Sequence, residues 1–391
     1  MPNDAVDPSR KIVIIGNPDS RRVEQIAAAA RMRGLAASVI SYVDYLAGRV
    51  DVQHCVSDGC VVRIESPGEN WEAEKRILRA GIVPMEARNL KAVSADEIER
   101  KPAQRGEIHD SQQWYWGFRD VLAQLEQALS GAADFAWMSH PQEIARAFDK
   151  QACYECWSAR GLPIPHFRGD VDGYQSLRAA FPDRRCRLFV KLRYGFSAMG
   201  AVAVEWRDGR TRAITTVEAL TQTDAVRLFV SKKIRVLEQE SEIAWLIDTL
   251  AQQAILVEPW LPKARINGRP FDLRIVMIDG AVSHVVGRAS WSPFTNLNLD
   301  AERVGADVVQ KRLGDNWPDA CSLCREAAAA FPRSLYTGLD LLVLPDRTRF
   351  VLLEANAFGD YLPRLTHAGQ TTYEAEIAAL LARRRSHGQW T

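Results

Sequence analysis

The 391-residue chain has no apolar run long enough to cross a bilayer, so a helical membrane anchor is not expected. Net charge is almost absent. Fifty Lys and Arg against 49 Asp and Glu leave +1, which removes any global electrostatic case for nucleic acid. Residues Met1 to Arg10 are polar and acidic and lack the layout of a signal peptide. The seven cysteines are odd in number, so a full disulfide set is not expected and a reducing, cytoplasmic setting is the default. Two cysteine pairs, Cys153/Cys156 and Cys321/Cys324, have zinc-like spacing, but both lie in helical patterns with no nearby His. Buried or half-buried thiols are the expectation there. Internal repeats and low-complexity segments are missing. So is a glycine fingerprint for a dinucleotide, because Gly16 stands alone after the first strand.

What is present suits an α/β (α+β) chain of two or three domains. Lys11 to Gly16 reads as a parallel-sheet strand. A helix with Asp19 or Ser20 as N-cap follows, then a strand to Ser41. This βαβ opening is Rossmann-like, with a scaffold role expected for residues 1–145. Arg63 and Glu65 share one face at the end of a further strand, as a structural ion pair or a substrate contact. Ser111 to Leu129 forms a long helix whose Trp114, Tyr115, Trp116 and Phe118 are expected to pack in a core or between domains. A second unit is expected over residues 146–257 and a third over 258–391.

The chemistry concentrates late in the chain. Phe350 to Asn356 reads as a buried strand ending in a carboxylate and an amide, with Glu354 and Asn356 on one face. The preceding strand, Gly338 to Leu344, carries a lone Asp340. Pro345-Asp346-Arg347 is a turn signal, so the two strands are expected to pair antiparallel and can bring Asp340 beside Glu354. Two carboxylates and an amide oxygen form a hard, all-oxygen set suited to Mg²⁺ on nucleotide phosphates. The alternative is a solvated strand end. Upstream, Arg187 to Lys191 is a strand ending in a cation. The loop after it holds Gly195, Ser197 and Gly200 and can drape backbone N–H groups over phosphates. In Ile255 to Leu261 the strand breaks at Pro259. That frees a carbonyl and the Leu261 N–H for an adenine edge. Asp279-Gly280 turns a clear β-hairpin that carries Asp272 and Arg274 on one strand and Arg288 on the other.

In order and spacing, these elements resemble the ATP-grasp fold. They are Asp149-Lys150, Val190-Lys191 with its small-residue loop, Glu258-Pro259-Trp260-Leu261, Asp272-Leu273-Arg274, Arg288 with Asn296, Asp340, and Glu354-Ala355-Asn356. The likeness runs from about residue 145 to 365 and is similar to ligases that add glutamate to a ribosomal protein or cross-link ribosomal peptides. It departs in a glycine-poor phosphate loop, with Phe196 and Met199 at the tip, and in having only Lys263 as a third lysine.

The resemblance implies ATP and Mg²⁺ (or Mn²⁺) as cofactors. It assigns Lys150, Lys191 and the loop with Ser197 to the inner phosphates. Glu258, Pro259, Trp260 and Leu261 go to adenine, and Asp272 to the ribose. Arg274 and Arg288 go to the γ-phosphate and an acyl phosphate, and Asp340, Glu354 and Asn356 to the metals. The expected activity is an ADP-forming ligase joining a small-molecule or peptide carboxylate to an amine, with neither nucleic acid nor membrane as partner. The alternatives are a small-molecule kinase on the same fold and a non-catalytic ATP-binding regulator.

Overall fold

A computed structural model describes residues 11–387 other than 109, 133, 223–224, 300, 359–361 and 363. Four short strands pair in parallel in the first part of the chain: β1 (Lys11–Gly16), β2 (Ala36–Ser41), β3 (Cys60–Ile64) and β4 (Phe135–Trp137), in the order β2-β1-β3-β4. Residues 12–15 of β1 are wholly buried, as expected for a strand covered on both faces. The helix Arg21–Met32 follows β1. Its N-cap is Ser20, whose hydroxyl accepts from the Arg22 N–H, and not Asp19. The aromatic helix Ser111–Leu129 packs against the helix Trp71–Ala80 at a close crossing. A Cβ on Gly117 would lie 1.9 Å from the Ile77 carbonyl, so only glycine fits. Trp114, Tyr115 and Phe118 are buried there, in the packing role their pattern predicts.

The middle of the chain forms an antiparallel sheet of five strands in the order β8-β7-β6-β5-β9. Its members are β5 (Cys186–Leu192), β6 (Val202–Arg207), β7 (Arg210–Gln222), β8 (Ala225–Leu237) and β9 (Ile255–Pro259). Because β9 pairs with β5, Glu258 and Pro259 belong to this sheet, and the change to the next sheet comes after Pro259 rather than at 258. The third sheet is antiparallel, ordered β13-β12-β11-β14-β15 with β10 on β11. It comprises β10 (Arg265–Ile266), β11 (Arg269–Ile278), β12 (Ala281–Ala289), β13 (Glu302–Val304), β14 (Tyr336–Val343) and β15 (Phe350–Asn356). The Asp279-Gly280 hairpin forms as its turn chemistry predicts, with Asp279 at φ 51 and Gly280 at φ 71. Both cysteine pairs lie in helices, Lys150–Ser158 and Trp317–Ala328.

The C-terminal helix Thr372–His387 opens on the expected capping box. The Thr371 N–H donates to Glu374 (2.7 Å), and the Glu374 N–H donates to the Thr371 hydroxyl (3.3 Å). The helix returns to the first sheet. Ile377 and Leu380 share a core with Ile12, Ile14, Val276 and Val286, so the two ends of the chain close around one apolar cluster.

Beside that core, Arg63 and Glu65 form a structural pair, both with no exposed area, and the guanidinium also binds Glu376 at 2.6 Å. Burial raises the Glu376 carboxyl from 4.5 to about 7, against the pull of Arg63, and Glu65 adds repulsion. The native chain thus holds a proton that the unfolded chain loses at lower pH. This contribution to stability is full below about 4.5 and is lost as pH rises through about 7. Glu376→Gln is expected to raise stability at pH 8 by roughly 1–3 kcal/mol, at about 1.4 kcal/mol per pH unit. Denaturant melts from pH 5 to 8 check this; a variant as steeply pH-dependent as the parent counts against it.

Candidate active site

Alternation along β11 puts Asp272 and Arg274 on one face of the third sheet. Register then sets their neighbours: Asp272 lies opposite Arg288, and Arg274 opposite Asp340. On β15 the alternation is interrupted. Leu341 pairs with Leu352, but Asp340 pairs with Glu354, so Leu353 is an extra residue in a β-bulge. Unbroken pairing would set Asp340 against Leu353 and turn Glu354 to the opposite face. The bulge is what brings the two carboxylates side by side. Leu352 and Ala355 remain in the core while Glu354 is left half-buried at a cleft.

Asp272 and Asp340 are the centres of a buried charge network. Asp272 Oδ1 accepts from Arg288 Nε at 2.8 Å, and Oδ2 accepts from Lys263 Nζ at 3.0 Å and from the Thr295 hydroxyl. Arg274 forks onto Asp340, and Arg288 Nη2 lies 3.0 Å from Asp340 Oδ2. Burial alone raises the Asp272 carboxyl, but Arg288 and Lys263 outweigh it and hold the group at about 2. For Asp340, Arg274 and Arg288 likewise overcome burial and lower the carboxyl. Lys263 is pulled the other way: burial lowers its ammonium more than Asp272 raises it. Asp272 is answered by two cations, whereas Lys263 shares its one carboxylate with Arg288. The carboxylates are therefore firmly ionised, and Lys263 is the weakest charge in the cluster.

The middle sheet supplies the facing wall. Phe189 lies opposite Glu258, and Lys191, two residues on, shares that face. Lys191 accordingly pairs with Glu258, which is buried. The Tyr154 hydroxyl lies 2.8 Å from Glu258 Oε2 and 2.7 Å from the carbonyl of the bulge residue Leu353, bridging the two sheets. Lys150 opens the helix Lys150–Ser158; its Nζ donates to the Gly195 carbonyl and lies 3.1 Å from Glu354 Oε1. The loop after β5 is left-handed at Ser197 (φ 51) and Ala198 (φ 60), a geometry that glycine adopts more readily.

Between these walls lies a cleft of about 910 Å³, its open mouth included. Of the sequence-predicted residues, Lys150, Lys191, Glu258, Pro259, Leu261, Asp272, Arg288, Asp340 and Glu354 line it. Ser197, Trp260, Arg274 and Asn356 do not. Trp260 packs beneath the Arg187 guanidinium at 3.6 Å, and the Asn356 amide donates to the Gly338 carbonyl at 3.4 Å. Lys263, the candidate third lysine, also lines the cleft. Thr295 and Tyr154 are not among the predicted site residues. Thr295 lies in the loop after Arg288, and Tyr154 has no signal apart from its position one helical turn beyond Lys150.

Solved structures share this fold across almost the whole chain. An ATP-grasp ligase, PsnB, complexed with minimal precursor, Mg and ADP, matches at TM-score 0.51 and 16% identity, over 96% of this chain and 99% of that one. The chain has the ATP-grasp fold. The ADP complex of N5-carboxyaminoimidazole ribonucleotide synthetase matches at TM-score 0.52 and 14% identity, over 95% and 77%. The macrocyclase MdnC of Microcystis aeruginosa MRC, bound with precursor peptide MdnA, matches at TM-score 0.51 and 13% identity, over 95% and 99%. No protein-family model matches, and no curated protein matches by sequence.

Among the described residues of the chain, no three His, Cys, Asp or Glu side chains gather closely enough to hold a metal alone. Asp340 and Glu354 are two adjacent carboxylates, with Asn356 at the strand end. Mg²⁺ is commonly held by one or two carboxylates together with phosphate oxygens and water. Asp340 and Glu354, which both line the cleft, suit a metal that arrives on a nucleotide; Asn356 does not line it.

Proposed function

We propose that the chain is an ATP-dependent carboxylate–amine ligase that forms an amide or peptide bond through an acyl phosphate, releasing ADP and phosphate. The observation that carries this reading is the division of charge across the cleft. Lys150 and Lys191 come from one wall, with the Pro259–Leu261 backbone beside them. Arg288, Asp340 and Glu354 come from the other, with Arg274 behind Asp340. In this reading the lysines hold the inner phosphates as the leaving group, and Arg288 neutralises the γ-phosphate as a substrate carboxylate attacks it. Phosphoryl transfer is mainly positioning and charge neutralisation, which such residues supply without a nucleophilic side chain. Mg²⁺ or Mn²⁺ at Asp340, Glu354 and Asn356 would add charge on the outer phosphates. Asp272, with both oxygens engaged, acts here by orienting Arg288 and Lys263 as much as by meeting the ribose. The parallel sheet β1–β4 serves as a Rossmann-like scaffold, and a peptide is the favoured carboxylate substrate because the structural neighbour MdnC is bound with a precursor peptide.

Incubation with ATP, Mg²⁺, candidate peptides and hydroxylamine tests the chemistry. ADP and phosphate should appear in equal amounts, with the acyl phosphate trapped as a hydroxamate. AMP with pyrophosphate would reject the mechanism and the role of Arg288. The adenine edge gives a separate prediction. If Pro259 and Leu261 present an acceptor and a donor, GTP, which reverses both, should lose about 1–3 kcal/mol per unpaired group. Equal protection against thermal unfolding by Mg-ATP and Mg-GTP would count against that edge.

A further inference from the structure

We propose that Arg193 is a positioning residue that fixes the spacing of the two phosphate-reading lysines by gripping Asp149. The proposal rests on the nucleotide site described above. Lys150 and Lys191 come from different elements, a helix start and a strand end, and no local backbone rule sets the distance between them. Arg193 lies two residues beyond Lys191 and forks onto Asp149, with Nε to Oδ1 at 2.7 Å and Nη2 to Oδ2 at 2.6 Å. Asp149 immediately precedes Lys150 and is the N-cap of its helix. Its Oδ1 also accepts from the Gln151 and Ala152 N–H groups at 3.1 and 3.2 Å.

The backbone closes the same ring. The Lys150 N–H donates to the Arg193 carbonyl at 3.3 Å, and Lys150 Nζ donates to the Gly195 carbonyl. Tyr194, between them, stacks on Tyr115 of the aromatic helix at 4.1 Å and 13°. The loop start is thereby held both to the helix that carries Lys150 and to the first part of the chain. A planar guanidinium bound through two nitrogens resists rotation as a single ammonium contact cannot. Asp149 is only 5% exposed, so its grip is little weakened by water.

The bland alternative is that Asp149 merely caps a helix. Asparagine caps as well as aspartate, so Asp149→Asn keeps the cap and removes the charged fork. Arg193→Met removes the fork from the other side. MgADP and adenosine binding are measured on the full chain, with thermal midpoints alongside. Each variant is expected to bind MgADP about tenfold more weakly, a change of about 1.4 kcal/mol. The double variant should be no weaker than either single one, because both remove one interaction. Adenosine, which has no phosphates, should bind all of them alike. Arg193→Lys keeps the charge, loses the fork, and should show the same loss; it stands in if Arg193→Met does not fold.

Unchanged MgADP affinity with a lowered midpoint would overturn the proposal in favour of a purely structural pair. Loss in Arg193→Met but not in Asp149→Asn would overturn it by making Arg193 a direct nucleotide contact. Equal weakening of adenosine would overturn it as general damage. A parent chain that binds no MgADP would instead reject the nucleotide-site reading itself, and this proposal with it.

Discussion

Glu354→Gln is expected to leave the fold intact and to lower ATP turnover about a hundredfold. The change is nearly isosteric at a half-buried position, so packing around β15 is spared. What it removes is one full charge from the end of the strand, where the side chain faces Lys150 at 3.1 Å and Asp340 across the sheet. Loss of one electrostatic stabiliser of a transition state costs on the order of 3 kcal/mol, which is roughly that factor in rate. The amide also leaves Lys150 without its carboxylate partner, so MgADP and metal-free ADP affinities should move by different amounts. Initial rates with a competent substrate, together with both binding constants, check the prediction. Parental turnover in the variant would remove Glu354 from the metal set.

Asp272→Ala should be the most destabilising single change in the cleft. The carboxylate is nearly fully buried and answers the buried Arg288 and the largely covered Lys263 side chain, along with the Thr295 hydroxyl. Removing it leaves Lys263 without its carboxylate and Arg288 with Asp340 alone, in a low-dielectric site. Breaking a buried pair in this way typically costs about 3–5 kcal/mol. Asp272→Asn should cost less, because it keeps an acceptor for Arg288. Denaturant unfolding of the two variants tests this, and equal stability of Asp272→Ala and the parent would show that the network carries little. Nucleotide binding should fall with stability here, since Arg288 loses the partner that aims it.

Much of the local structure was legible. The Asp279-Gly280 hairpin, the helix Ser111–Leu129 and the C-terminal capping box each follow from a rule that acts within a few residues: turn chemistry, helical periodicity, a reciprocal cap. The long hairpin of β7 and β8 was not read. Its 13-residue strands carry many polar and charged side chains and form the outer part of a sheet, so the apolar alternation is diluted, and the β8 edge is met by residues 106–108 from far earlier in the chain. The placement of β9 was also out of reach, because its membership of the middle sheet depends on pairing with β5, more than 60 residues away in sequence.

Local pattern alone says which residue types are available and on which elements they ride. It placed the lysines at a helix start and a strand end, the arginines and Asp272 on one hairpin, and the carboxylates and amide at the end of the chain's last strands. The tertiary structure decided which of them meet. Strand alternation has a period of two, so a one-residue slip moves a side chain to the other face. Nothing in Leu352-Leu353-Glu354 announces the bulge that makes that slip. It is set by the packing of Leu352 and Ala355 into the core on either side of it. The charge pairings were decided in the same way. Lys150 with Glu354 joins a helix start to a strand far along the chain, within reach only because that helix packs on β15, whereas Lys263 with Asp272 closes more locally, across the turn into β11.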